Sequence, residues 1–150
     1  MTTADFKSVF REVAVQNGFL FQHNRFWKKS SEAVICLELQ KSNYSNIYYL
    51  NLKIWVQGVF DSKYEPSSEL ARKPGNVFRR QPKDWGKLFD LDQILDKGTC
   101  SQEMAGFFKA FVNPFTEKAL TRSGILGLAN SNELFLLPAV RAELDRLGFT

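Results

Sequence analysis

The sequence is short of the residues on which most recognisable enzyme chemistry is built. It has one histidine, His23, and two cysteines, Cys36 and Cys100, in 150 residues. A Ser-His-Asp or Cys-His centre would have to use His23, and a metal site could draw on one imidazole at most. Neither cysteine has a partner at metal-ligand spacing. The run Gly124-Ile125-Leu126-Gly127 lacks the spacing of either nucleotide-binding fingerprint, and no Lys-Ser or Lys-Thr follows it. No metal and no cofactor is therefore expected. There is also no run of the roughly 18 to 20 apolar residues that a membrane-spanning helix needs. The first ten residues carry Asp5 early and lack the basic start and unbroken apolar stretch of a secretory signal. A cytoplasmic setting with reduced cysteines follows as the expectation, Cys36 packing inside an apolar strand.

What is present is an ordinary globular mixture, 44% hydrophobic and 24% charged with a formal net charge of +4. A chain of this length can remove roughly 70% of its unfolded surface from water as one domain, here residues 1–150, without a disulfide or a metal. The mild positive field favours anionic partners but is too small to indicate nucleic acid by itself.

Hydrophobic spacing divides the chain. Phe6, Val9, Phe10 and Val13 recur at intervals of three and four, which predicts an amphipathic helix over 3–17. Thr2 and Asp5 fit a capping box, and Asn17-Gly18 with Phe19 supplies the stop. Strands are predicted over 20–28, 33–41 and 46–59, joined by short turns into an antiparallel meander. In the third, Tyr48, Leu50, Leu52, Ile54 and Val56 share a greasy face, opposite Tyr49, Asn51, Lys53, Trp55 and Gln57. Periodicity then disappears over 61–83, a long loop broken by a possible short strand at 76–79. Residues 85–95 read as a short helical or irregular piece. Met104, Phe107, Phe108 and Phe111 mark a helix capped near Thr99 or Ser101, and Asn113-Pro114 restarts it as a second helix to about Arg122. The segment 132–147 is helical with Pro138 as a kink or a fresh start, and Gly148-Phe149 echoes Gly18-Phe19. The fold class is α+β: an N-terminal helix, an antiparallel meander of three to four strands, then C-terminal helices packed on one sheet face.

The segment from Phe6 to Gly18-Phe19, then Asn24-Arg25-Phe26-Trp27, Leu39-Gln40-Lys41-Ser42 and Tyr48-Tyr49-Leu50-Asn51-Leu52-Lys53-Ile54 resembles the bacterial proteins grouped as domain of unknown function 4304. The resemblance implies a fold and a bacterial, cytoplasmic setting. It brings no catalytic residue with it, so function has to be argued from the residues.

Two groups of residues suit binding. The segment 72–87 sets Arg72, Lys73, Arg79, Arg80, Lys83 and Lys87 against Asp84 alone, with Phe78 and Trp85 interleaved, and Arg25 to Lys29 forms a second basic-aromatic group. Cations beside aromatic rings suit phosphate contact and base stacking, although long cationic stems also commonly lie over apolar surface. The mixed sheet face adds Tyr49, Asn51, Lys53 and Trp55, side chains of the kind protein interfaces use, unless helices cover that face as well. Asp90, Asp92 and Asp96 could bind a hard cation but are explained by helix-start charge.

These observations lead to an expected non-enzymatic binding module with another protein, regulatory or immunity-type, as partner. Its contact residues would be Tyr49, Asn51, Lys53, Trp55, Arg79, Arg80, Lys83 and Trp85. The alternatives are a weak, sequence-tolerant binder of RNA or single-stranded DNA, and an enzyme assembled from Arg25, Glu38 and Asn51.

Overall fold

The computed structural model describes residues 1–148; Phe149, expected to follow Gly148 as Phe19 follows Gly18, lies outside the described residues. Helix α1 spans Thr3–Gln16. The Thr2 hydroxyl accepts the Asp5 N–H at 3.1 Å, Gly18 turns the chain at φ 90°, and the Phe19 N–H closes on the Ala14 carbonyl at 3.1 Å. Both ends are capped by the residues the sequence nominates.

Five strands follow: β1 (Leu20–Gln22), β2 (Arg25–Lys29), β3 (Ala33–Lys41), β4 (Tyr48–Val56) and β5 (Val77–Arg80). They pair in chain order, each pair antiparallel. The strand expected over 20–28 is in fact a hairpin. His23 and Asn24 take φ values of 54° and 57°, the left-handed geometry of a two-residue turn whose twist matches its strands. The strand expected over 46–59 is also shorter, because Gly58 at φ 88° turns the chain into a single 3-10 turn, Val59–Asp61.

Register places Ile35 opposite Ile54, Leu37 opposite Leu52 and Leu39 opposite Leu50 on the inner face. The C-terminal helices α3 (Lys97–Phe107), α4 (Asn113–Ala119), α5 (Arg122–Asn130) and α6 (Pro138–Arg146) join α1 in covering that face and form one core with it. Its centre is aromatic: Phe10 meets Phe26 and Phe108 edge to face at 5.2 and 5.6 Å.

Three expectations about the second half need correction. The loop 61–83 holds a one-turn helix, α2 (Ser68–Ala71), whose first turn is capped by the Ser67 hydroxyl accepting the Leu70 N–H at 2.9 Å. Helix α3 starts earlier than Thr99, because the Asp96 carboxylate caps it by accepting the Thr99 N–H at 2.7 Å. Asn113-Pro114 does not open a separate helix either. A π-helical turn, Phe108–Val112, carries α3 into α4, the Asn113 N–H reaching back five residues to the Phe108 carbonyl. Widening the turn here makes room for a proline ring that has no N–H and would clash with an α-helical carbonyl.

Helix α5 was not anticipated, since two glycines interrupt its apolar pattern. Thr121 caps it, and Gly124 is demanded by packing: a Cβ there would lie 1.9 Å from the Lys118 carbonyl oxygen. Pro138 is the fresh start rather than the kink, occupying the first turn of α6. Among the described residues no helix is long and apolar enough to cross a membrane.

Candidate functional site

The residues expected to form one contact surface are divided by the sheet between its two faces. Strand alternation sends Val77 and Arg79 of β5 inward and Phe78 and Arg80 outward, opposite Lys53 and Asn51 of β4. Arg79 therefore leaves the outer sheet face, although it stays half-buried. Its guanidinium lies 4.8 Å from the centre of the Phe111 ring and 5.3 Å from that of Phe115, and donates to the Glu133 carbonyl at 2.5 Å. Trp85, within the 3-10 segment Lys83–Phe89, turns the same way and meets Phe107 edge to face at 5.2 Å. Lys83 is exposed at the start of that segment.

Trp55 points outward but is sealed. The loop carrying α2 folds over it, so that Trp27, Val34, Cys36, Trp55, Leu70 and Ala71 make a second, smaller core. Only 1% of Trp55 is exposed, its ring stacks on Trp27 at 6.2 Å, and its Nε1 donates to the Pro74 carbonyl at 3.1 Å. No partner can reach it here, and the cover is the 61–83 loop rather than the C-terminal helices. Cys36 lies beneath the same cover, where burial pushes its thiol up to about 12.

Four of the expected residues, Tyr49, Asn51, Lys53 and Arg80, do come together, with Arg25, Glu38 and Gln40, in one polar network. The Glu38 carboxylate accepts from Arg25 Nε at 2.8 Å, Lys53 Nζ at 3.1 Å and Asn51 Nδ2 at 3.3 Å. Gln40 Oε1 accepts from Asn51 Nδ2 at 2.8 Å and Arg80 Nη2 at 3.2 Å, while Asn51 Oδ1 accepts from Arg80 Nε at 3.1 Å. The Arg80 guanidinium covers the Tyr49 ring at 4.4 Å. Lys53 Nζ also donates to the Ala71 carbonyl at 3.0 Å, tying the network to α2. Burial alone would raise the Glu38 carboxyl, but the hydrogen bonds from Arg25, Lys53 and Asn51 outweigh it and hold the group below its ordinary value. Asn51 and Lys53 are only 3% and 9% exposed, so the network is structural at its root and open only at its rim.

Strand alternation exposes Phe78, which the sequence marks only as one ring within the basic 72–87 segment, and the chain before α6 exposes Phe135, which the sequence does not mark at all. Phe78 is 49% exposed and Phe135 is 74% exposed, and the two line one shallow cavity with Arg79, Asn132, Glu133 and Leu134. The signal was the period-two pattern of Val77-Phe78-Arg79-Arg80, legible only once the register with β4 is known. β5 is an outer strand of the sheet, and among the described residues its backbone bonds to β4 alone.

The remaining candidates serve the fold. His23 sits in the hairpin turn with Nδ1 3.1 Å from the Ser68 hydroxyl. Asp96 is a helix cap, Asp90 accepts from the Asp92 N–H and the Gln93 amide, and Asp92 accepts from Asn46. Among the described residues no group of three or more His, Cys, Asp or Glu is placed to hold a metal ion.

Fold and surface together define a small α+β protein: one antiparallel sheet, helices on one face, and a loop and polar network on the other. The family model described as domain of unknown function (DUF4304) matches residues 10–118, more than half of the chain, and the chain belongs to that family. No curated protein and no solved structure matches it.

Proposed function

We propose that the chain is a non-catalytic protein-binding module that takes an acidic, extended segment of a regulatory or immunity-type partner along the outer edge of β5. The observation that carries this reading is the pair of exposed rings, Phe78 and Phe135, flanking an edge strand whose backbone bonds on one side only. Such an edge gives an extended peptide main-chain partners, and aromatic rings beside it select its alternate side chains. Arg79 and Arg80 of this strand with the exposed Lys83 and Lys87 that follow it outnumber the acids beside them, Asp84 and the cavity-lining Glu133, which favours a negatively charged guest. Free, buried Cys36 and Cys100 accord with work in a reducing cytoplasm, and the resemblance points to a bacterial one.

Two competing readings are disfavoured by geometry. Arg25, Glu38 and Asn51 do meet, but both Glu38 oxygens are engaged by donors and its carboxyl is held low, whereas a general base working near neutral pH needs the opposite shift. Arg79 and Trp85 are half-buried against phenylalanines on the helix-covered side of the sheet and do not join Arg80 in one open stacking platform for a single-stranded nucleic acid.

The test is selection from a displayed library of random extended peptides, followed by affinities for the enriched sequences. Acidic peptides with apolar residues at alternate positions should emerge, and Phe78→Ser combined with Phe135→Ser should weaken them at least tenfold with unchanged circular dichroism. Enrichment without acidic bias, or equal binding by the double variant, sinks the proposal. Oligonucleotide binding that falls steeply with salt and is lost in Arg80→Ala would replace it with the nucleic-acid reading.

A further inference from the structure

We propose that the cleft between α1 and the β1–β2 hairpin binds a small organic anion, a carboxylate or phosphate bearing an apolar ring or chain. The cleft has a volume of about 660 Å³ and is lined by Lys7 and Arg11 from α1, Arg25 from β2, and the apolar Phe21, Phe26 and Leu39. That volume lies within the roughly 300 to 1,000 Å³ usual for small-molecule sites. It lies toward β1, the outer strand opposite β5, and its Lys7 and Arg11 take no part in the polar network that links Arg25 to Arg80.

Charge is the first argument. Three cations line the cleft and no carboxylate does. Lys7 and Arg11 stand one helical turn apart, an arrangement that is mildly repulsive on an isolated helix, and neither has a salt bridge among the described residues. Arg25 is paired with Glu38, but that carboxylate is shared with Lys53, so the cluster behind the cleft stays positive.

Geometry is the second. The Arg11 guanidinium lies 4.1 Å from the centre of the Phe21 ring, and Phe21 in turn packs on Phe26 at 4.9 Å. A guanidinium held over a ring satisfies none of its N–H donors there, so they stay available to an oxyanion. Arg25 is fixed by Nε to Glu38 at 2.8 Å and by Nη1 to the Asn24 carbonyl at 3.1 Å, leaving Nη2 for a ligand. The two arginines are thus oriented beforehand beside an apolar wall, which lowers the ordering cost of binding.

Calorimetric titration with phenyl phosphate, benzoate, inorganic phosphate and benzyl alcohol tests both halves of the site. At least one of the two aromatic anions should bind tenfold or more tightly than inorganic phosphate and than benzyl alcohol, and their order tells phosphate from carboxylate. Lys7→Ala with Arg11→Ala should reduce that affinity at least tenfold, while the charge-matched Lys97→Ala with Lys109→Ala should leave it within twofold. Aromatic anions that bind no better than inorganic phosphate overturn the proposal. Equal losses in the two double variants do so as well, since they would report net charge alone.

Discussion

Removing the Trp55 side chain tests the claim that the loop over the outer sheet face is a second core rather than an open binding surface. Trp55 is 1% exposed, stacks on Trp27 and bonds through Nε1 to the Pro74 carbonyl. Truncating a fully buried tryptophan to alanine removes its transfer energy and leaves a cavity, together about 3 to 5 kcal/mol. Trp55→Phe keeps most of the ring and loses the indole donor, leaving the Pro74 carbonyl without that partner, for about 1 to 3 kcal/mol. Both magnitudes are measurable by urea denaturation followed by far-ultraviolet circular dichroism. Trypsin adds a local reading, because Lys63 and Arg72 lie in the covering segment and cleavage there should accelerate more than elsewhere in Trp55→Ala. If Trp55→Ala costs less than about 1 kcal/mol and cleavage is unchanged, the cover is not packed on the ring, and the tryptophan returns as a surface anchor.

Replacing Glu38 by Gln should cost about 1 to 3 kcal/mol at neutral pH, because charged donors lose their acceptor. The folded carboxyl sits below its unfolded value, so the stability it contributes is fully present above the ordinary carboxylate range and is lost as pH falls through the depressed value. The stability gap between wild type and Glu38→Gln should therefore close on acidification, and a gap independent of pH between 7 and 3 refutes the assignment. Cys36 and Cys100 should resist Ellman's reagent at pH 8 in the folded protein and react at once in denaturant, since burial both shields the thiols and raises their pKa. Thr121→Ala should lower stability by about 1 kcal/mol through loss of the α5 cap, measured as a shift in the urea midpoint at unchanged slope.

Where local chemistry decides structure, the sequence is readable. Helix α1 is announced by its apolar spacing, Thr2 and Asn17-Gly18, and β3 by an apolar run bounded by the turn formers Ser30-Ser31 and Ser42-Asn43; both occur where expected. The misreadings fall where a longer-range demand wins. The His23-Asn24 turn escapes notice because neither residue is a glycine, yet two short strands pairing beside α1 require positive φ there. Helix α5 is concealed by Gly124, which looks like a helix breaker until the approach of the Lys118 carbonyl is known. The π-turn before Pro114 likewise depends on the aromatic packing of Phe107, Phe108 and Phe111, which rewards continuing the helix.

Charge is where linear reading misleads most, in both directions. Counted along the chain, 72–87 is the most basic stretch, yet folding removes several of its cations from general attraction. Arg79 lies over two phenylalanines, Arg80 is bound to Asn51 and Gln40, and Lys73 pairs with Glu69 at 3.2 Å. What remains at β5 is a mixed rim, with Glu133 beside Arg79, around two exposed rings, suited to a peptide whose apolar side chains contribute as much as its acids. Lys7 and Arg11 attract no notice in sequence, and Arg25 is read there with Phe26 to Lys29 rather than with them, being separated from them by a helix end and a turn. The α1–hairpin packing nevertheless brings them to one cleft, with aromatic rings as its floor and no acid on its lining. A run of like charges along a flexible segment can spread apart at little cost, whereas cations held together by a helix and a hairpin cannot. Repulsion maintained by rigid elements is the stronger sign that an anion belongs between them.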